Sequence, residues 1–271
     1  MNDTVYEIGA GEGIITKELL NKAKNVIAFE LDSDLFTKLS KQFQNKKSLE
    51  LKPENFLTCQ LPNYPYKVFS NIPFNITSAI IKKLTQENNS PEYSYLIVQK
   101  EAAKKFMGRP LDHKNSQVAV ILNSWFQFSV IYEFRPGDFS PKPNVDVVFL
   151  EIKKRDKPLI DNKNRNKYED LITYGFNQFK PNITEGLSEV LGRRNIIDLA
   201  AEMGFSPDSK PSDLNIKDWT SLFSIFLNMT EKQQNIPKGS YAKQLKQQEK
   251  VEKINRTRVD KNWRNYRPTV A

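Results

Sequence analysis

Short apolar runs alternating with helix-spaced apolar stripes constrain this chain more than any other feature. Residues 5–8, 26–29, 67–70 and 93–98 are apolar runs too short to be helices, and Leu49 and Leu51 mark one more strand among them. Between the runs lie Ile14, Ile15, Leu19, Leu20 and Ala23, then Leu35, Phe36, Leu39 and Phe43, then Ile80, Ile81 and Leu84. Each set recurs at the spacing of one face of a helix. Strand–helix alternation requires crossover connections, so the chain reads as α/β with a mainly parallel sheet covered on both faces. Asp32 or Ser33 can cap the second helix. Further on, Val118, Ile121, Leu122 and Trp125 predict a helix, and Phe126, Phe128, Val130, Tyr132 and Phe134 alternate like a strand buried on one side. Val145, Val147, Phe149 and the residues up to Ile152 predict a last strand, giving an antiparallel pair at the end of the sheet.

The run Lys153-Lys154-Arg155-Asp156-Lys157-Pro158 marks a boundary, so residues 1–155 are expected to form the sheet domain. The next stripes are Tyr168, Leu171 and Ile172; Ile196, Ile197, Leu199 and Ala200; and Trp219, Leu222, Phe223 and Phe226. All have helical spacing, which predicts a small all-helical domain over 156–235. After Ile236-Pro237 the chain is rich in Lys and Gln, so 236–271 is expected to be a basic flexible tail or a single helical arm.

Charge follows the same division. The net charge is +9, yet residues 1–152 hold 18 Lys/Arg against 17 Asp/Glu and residues 153–235 hold 13 against 12. Residues 236–271 hold 10 against 3, so long-range attraction for a polyanion is concentrated there. One cysteine, Cys59, excludes a disulfide framework and a multi-cysteine zinc site. One histidine, His113, argues against a histidine-based triad or metal cage, and no metal is expected. No apolar run approaches the ~18 residues of a membrane span, and no charged-then-apolar leader opens the chain. A cytoplasmic protein that does not bind membranes is the expectation.

Two segments carry candidate chemistry. Glu7-Ile8-Gly9-Ala10-Gly11-Glu12-Gly13 sits between the first strand and the first helix. Its glycines let the backbone turn sharply and approach a ligand, and the helix start behind it can hold a carboxylate through free N–H groups. The third glycine comes one position too early for the dinucleotide pattern. Glu30 ends the second strand, where an acidic side chain can accept both hydroxyls of a ribose. A ligand with a carboxylate, a ribose and no phosphates fits S-adenosylmethionine; the alternatives are a purely structural turn and a solvated strand-end carboxylate. The second segment, Ser70-Asn71-Ile72-Pro73-Phe74-Asn75-Ile76-Thr77, follows the fourth strand. An amide oxygen there can accept from an amino group while an aromatic ring stacks on a flat base, as methylation of an exocyclic adenine nitrogen requires.

Residues 7–13, Glu30, Asn71-Ile72-Pro73-Phe74 and Phe139-Ser140-Pro141-Lys142-Pro143, in this order, resemble the rRNA adenine N6-methyltransferases. Asn-Ile-Pro-Phe rather than a leucine-containing version, Val98-Gln99-Lys100-Glu101-Ala102-Ala103, and the Phe-x-Pro-Lys-Pro-x-Val-Asp stretch resemble the large-subunit erythromycin-resistance (Erm) methylases. The resemblance implies a Rossmann-like S-adenosylmethionine-dependent methyltransferase sheet with a small C-terminal all-helical domain. It implies a catalytic set of Asn71, Ile72, Pro73, Phe74 and Phe139. The implied cofactor set is Glu7, Gly9, Ala10, Gly11, Gly13, Glu30, Leu31, Glu54, Asn55 and Asn71.

The lone pair of adenine N6 is delocalised into the ring, so the amine is a poor nucleophile. By this resemblance the Asn71 oxygen and the Ile72 carbonyl accept from its N–H bonds and aim the lone pair at the methyl group. Pro73 keeps the turn rigid, Phe74 stacks on the base, and Phe139 flanks the site. Aromatic faces favour a migrating cationic methyl by ~0.5–2 kcal/mol each. The target base must leave its stack, which favours an unpaired loop adenine of 23S rRNA as the partner.

The sequence departs from the family in two places. Asn55 stands where the family usually has Asp, with Glu54 as a substitute one residue away. Family members also carry a leader with a Gln-x-Phe segment before the first strand; Met1 lies six residues before Glu7, so that cover is expected to be missing. The tail cations are interleaved with Tyr241, Trp263 and Tyr266, which suits single-stranded RNA as well as a solubilising tail. Arg193, Arg194 and residues 153–155 are alternative phosphate contacts, and a monomer is expected. Two rival readings are a small-subunit rRNA dimethyladenosine transferase and a non-catalytic RNA-binding protein on the same scaffold.

Overall fold

A computed structural model describes residues 3–109 and 111–250. Seven strands form one sheet: β1 (Thr4–Ile8), β2 (Asn25–Phe29), β3 (Leu49–Lys52), β4 (Lys67–Asn71), β5 (Tyr93–Gln99), β6 (Phe126–Glu133) and β7 (Val147–Lys154). Their order is β3-β2-β1-β4-β5-β7-β6. The first five pair in parallel, while β7 runs antiparallel to both β5 and β6. Strand order reverses between β1 and β4, and in open α/β sheets ligands bind beyond the carboxyl ends at such a point. The ends of β1, β2 and β4 therefore locate the site.

Alternation along β2 divides the core. Val26 and Ala28 pack with Leu39 of α2 (Ser33–Gln42) and Phe43 just after it, and Leu19 and Leu20 of α1 (Ile14–Leu20) join them. Ile27 and Phe29 point to the opposite face, into a larger cluster. That cluster takes Ile80, Ile81 and Leu84 from α3 (Thr77–Leu84), Ala103, Phe106 and Met107 from α4 (Lys100–Met107), and Val120 and Ile121 from α5 (Gln117–Leu122). Among the described residues no helix is long and apolar enough to cross a membrane.

The same cluster continues without a break into α6 (Arg165–Phe176), α7 (Ile183–Leu191), α8 (Arg193–Met203) and α9 (Ile216–Leu227). Tyr168 meets Trp125 edge-on at 5.7 Å and Phe223 at 5.1 Å. Asn115 stitches the two regions in polar terms: its Nδ2 donates to Leu214 O (2.7 Å) and its N–H to Ser212 O (2.8 Å).

Two details differ from the sequence reading, and a third selects between its alternatives. Ile14, expected in the buried stripe of α1, is 73% exposed, and Thr16 is buried instead, because the helix starts directly at the left-handed Gly13. The alternation of β6 breaks at a register shift between Val130 and Tyr132, which leaves Ile131 and Tyr132 exposed. After α10 (Glu231–Asn235), residues 240–250 of the tail, expected as flexible or as a single helical arm, form the helix α11 (Ser240–Lys250), packed along α6. The Asp170 carboxylate accepts from Gly239 N–H (2.8 Å) and Tyr241 N–H (3.0 Å), which caps α11 from another helix. Gln244 and Gln117 exchange two amide hydrogen bonds (2.7 and 3.0 Å). The remaining tail cations, from Lys253 onward, with Trp263 and Tyr266, lie outside the described residues.

Candidate active site

The glycine turn is folded against the end of β2. Gly9 and Ala10 N–H both donate to Phe29 O, at 2.8 and 3.0 Å. Gly13 has φ +78°, and a Cβ there would lie 2.7 Å from Leu39 Cδ2 and 2.8 Å from Phe43 Cε2. The turn thus seats directly on α2, and only glycine fits. A Cβ on Gly11 would meet nothing within 4 Å, so open space lies beside the backbone there.

Glu30 ties this turn to the next one. Its Oε2 accepts from Gly11 N–H (2.7 Å) and its Oε1 from Asp32 N–H (2.9 Å). Each carboxylate oxygen keeps a further lone pair for a ligand hydroxyl. Asp32 in turn caps α2 through Oδ1, so the Glu30 carboxylate is held between the glycine turn and a capped helix start. The neighbouring Leu31 is 69% exposed. It gives the crevice an exposed apolar side chain beside a carboxylate and a glycine turn, which suits a ligand with a flat base and a ribose.

Glu7 is fully enclosed in β1, and Thr16 Oγ1 donates to it at 2.6 Å. Burial pushes its carboxyl up to about 7; the Thr16 hydrogen bonds pull the other way, and the Glu30 charge adds to the rise. Glu7 therefore takes up and releases a proton near neutral pH beneath the turn.

Across the crevice, Ser70 Oγ donates to Ile8 O (2.5 Å) and locks the end of β4 to β1. Asn71 is exposed, and among the described residues its side chain has no hydrogen bond. Ile72 is buried, and its N–H donates to Ile97 O (3.2 Å). Pro73 O accepts from Ile76 N–H (3.1 Å) and Thr77 Oγ1 (3.4 Å), closing a turn into α3. A Cβ on Gly9 would stand 3.9 Å from Pro73 Cδ, so the glycine turn and the Asn71–Phe74 turn are the two walls of one crevice. Phe74 is 37% exposed and has no ring partner among the described residues.

Phe139 lies in the loop between β6 and β7. Asn71 pairs with Ile97 and Gln99 with Val147, so this loop leaves the sheet at the same end as Asn71, with β5 between them. Its ring packs edge-on against Phe134 at 5.2 Å. Glu54 and Asn55 are exposed just beyond β3, again at the carboxyl end. The Asn55 oxygen accepts from Leu57 N–H (2.9 Å), so its role in the local turn competes with a ligand.

Two supporting residues escaped the sequence reading. Thr16 satisfies Glu7, and a carboxylate inside a strand is the signal that such a donor must exist. Lys83 donates to the carbonyls of Leu57 (3.0 Å) and Cys59 and lies 5.4 Å over the Phe56 ring, fixing the Asn55 loop. Nothing local in the sequence announces that contact. Among the described residues no three His, Cys, Asp or Glu side chains converge as a metal site would require.

A parallel-sheet crevice with a glycine turn, a strand-end carboxylate and an exposed Asn-Ile-Pro-Phe turn defines a Rossmann-like methyltransferase. The profile for "Ribosomal RNA adenine dimethylase" matches residues 1–228. The chain belongs to that family and is an rRNA adenine N6-methyltransferase. Ribosomal RNA small subunit methyltransferase A of Nostoc punctiforme is 31% identical over 81% of the chain and 82% of its own length. An rRNA adenine N-6-methyltransferase of Bacteroides fragilis is 29% identical, over 82% of each. The crystal structure of the 23S rRNA methyltransferase ErmE superposes with a TM-score of 0.76 at 26% identity, over 83% of this chain and 91% of that one.

Proposed function

We propose that this chain uses S-adenosylmethionine to add one or two methyl groups to N6 of a single unpaired adenine in large-subunit rRNA. Such a modification would block macrolide, lincosamide and streptogramin B binding. The observation that carries the chemistry is the exposed, unpartnered Asn71 side chain at the start of the turn that bounds one crevice with the glycine turn. The preference for the large subunit rests on Asn-Ile-Pro-Phe at 71–74 and on the TM-score of 0.76 with ErmE.

The residues present fit the cofactor. Open space beside Gly11, the free lone pairs of Glu30 and the exposed Leu31 would hold the ribose and base, and the turn at 9–13 the amino-acid end. When bound, S-adenosylmethionine supplies an activated methyl group on a sulfonium. Asn71 Oδ1 and Ile72 O would accept from the adenine amine and orient its lone pair, while Phe74 stacks on the extruded base. Pro73, pinned by the Ser70–Ile8 bond and the turn into α3, keeps these acceptors fixed. No strong base is needed, because the proton leaves an acidic ammonium after transfer. We assign residues 1–155 to transfer and 156–235 to holding RNA.

The 31% identity with a small-subunit enzyme favours a second reading, in which the adenine lies in small-subunit rRNA. Primer extension on both rRNAs from cells expressing the chain separates the two. A new stop or modification in 23S rRNA supports our reading, and one confined to the small subunit overturns it.

A further inference from the structure

The end of the sheet away from Asn71 carries a second polar groove. Lys67 and Tyr93 begin β4 and β5, and Lys153 pairs with Tyr93 in register at the end of β7. Asn71 lies four residues along β4, about 13 Å away at about 3.3 Å per residue. A hollow of about 630 Å3 opens there, bounded by Tyr64, Lys67, Tyr93, Lys154 and Arg155. Tyr93 is flanked by two ammonium groups, Lys67 at 5.8 Å and Lys153 at 5.6 Å from its ring, and stacks on Tyr95 at 6.0 Å. Tyr64 is 47% exposed.

The walls are built rather than loose. Asn89 holds a positive φ of 58°, its carbonyl accepts from Tyr66 Oη (2.8 Å), and Lys154 N–H donates to Glu92 O (3.0 Å). A smaller hollow of about 170 Å3 shares Ser90, Lys154, Arg155 and Asp156 with the first and extends to Trp125 and Arg165. Two enclosed polar atoms on its lining residues, Ser90 Oγ and Trp125 Nε1, have no hydrogen-bond partner. Arg155 Nε is fixed on Asn123 O (2.9 Å), and Arg165 lies 4.3 Å over the Trp125 ring.

Charge pairing leaves a surplus. Lys67 is paired with Asp3 (2.9 Å), Lys153 reaches Asp156 only at 3.9 Å, and Arg165 is paired with Glu169 (3.0 Å). Lys154 and Arg155 have no carboxylate partner among the described residues; Asp156, 95% exposed at its side chain, and Glu92 border the large hollow against four cations, and Asp156 and Glu87 border the small one against three. An indole N–H and a guanidinium only donate. With one more cation than carboxylate and unpaired donors on its lining residues, the small hollow suits an oxyanion, and the adjoining tyrosines beside cations suit bases.

We infer that this groove is a second RNA-binding site, in which a phosphodiester of the substrate rRNA occupies the Ser90–Trp125–Arg155 hollow and neighbouring bases lie on Tyr93 and Tyr64. The inference rests on the RNA-substrate reading of the active site. It makes the enzyme sense an RNA segment distant from the adenine it modifies.

The test compares the full chain with Lys153→Gln/Lys154→Gln and with Ser90→Ala, using a minimal hairpin that carries the target adenine and the intact rRNA domain. For the intact domain the double variant should give a salt dependence of binding shallower by about 1.4, from about 0.7 per single-strand contact. Its KM should rise with kcat unchanged, and Lys153→Arg/Lys154→Arg should restore the parent values. Methylation of the minimal hairpin should stay as in the parent. Identical salt slopes in parent and variant, or an equal loss on both RNAs, would overturn the site. Inorganic phosphate that competes with the intact domain in parent and double variant alike would also count against it, marking a free-anion pocket elsewhere. Loss of methylation of both RNAs by the parent itself would instead sink the RNA-substrate reading.

Discussion

Replacing Glu7 with Gln should make the protein more stable at alkaline pH, although a buried hydrogen-bonding acid is being removed. In the folded chain the Glu7 carboxyl is pushed from its ordinary 4.5 up to about 7, chiefly by burial. A raised acid pKa means that the folded state holds the proton more tightly than the unfolded chain. The associated stability is fully present below pH 4.5 and is lost as pH rises through about 7. At about 1.4 kcal/mol per pH unit, the ionised side chain costs about 3 kcal/mol above that window. Glutamine is close in shape, keeps an oxygen for the Thr16 hydroxyl (2.6 Å in the parent) and has no proton to lose. Urea unfolding of both proteins at several pH values measures the effect. The advantage of Glu7→Gln should widen by about 2–3 kcal/mol between about pH 5 and about pH 8. Parallel stability–pH curves would refute the reasoning and show that Glu7 ionises freely where it sits.

Further expectations follow from individual contacts. Gly13→Ala forces a Cβ to within 2.7 Å of Leu39 and into a left-handed φ, so it should cost about 2–4 kcal/mol by urea unfolding. Glu30→Gln replaces a charged acceptor of Gly11 and Asp32 N–H, and calorimetry should show cofactor affinity about 10- to 100-fold weaker with the circular dichroism unchanged. Asp170→Ala removes the cap of α11, and its amide protons should exchange faster with a stability loss of about 1 kcal/mol. Unaltered exchange in α11 would show that the cap contributes nothing.

Much of this arrangement was legible because it depends on local spacing. The runs at 26–29 and 93–98 form strands paired on both sides, β2 and β5, and the Asp32 cap is formed as expected. Glu30 and the turn at 9–13 meet because strand order and crossover handedness leave little choice once the sheet is parallel. What spacing misses is long-range. The helix α4 is amphipathic but only eight residues long, with Ala103, Phe106 and Met107 buried among three lysines and a glutamate, so few apolar positions announce it. The docking of α11 depends on Asp170 and Gln117, residues 71 and 127 positions from their partners, with no apolar pattern to announce them. Asn55 matched a family position, yet only coordinates show its oxygen engaged with Leu57 N–H.

The central claim is that the carboxamide at the end of β4 presents an adenine amine for methylation. Mass spectrometry of rRNA from cells expressing the parent or Asn71→Ala tests it most directly, with cofactor affinity measured on both purified proteins. The parent should give N6-methylated adenine at one 23S position and Asn71→Ala none, with cofactor binding retained by both. Equal methylation by the two proteins would contradict it.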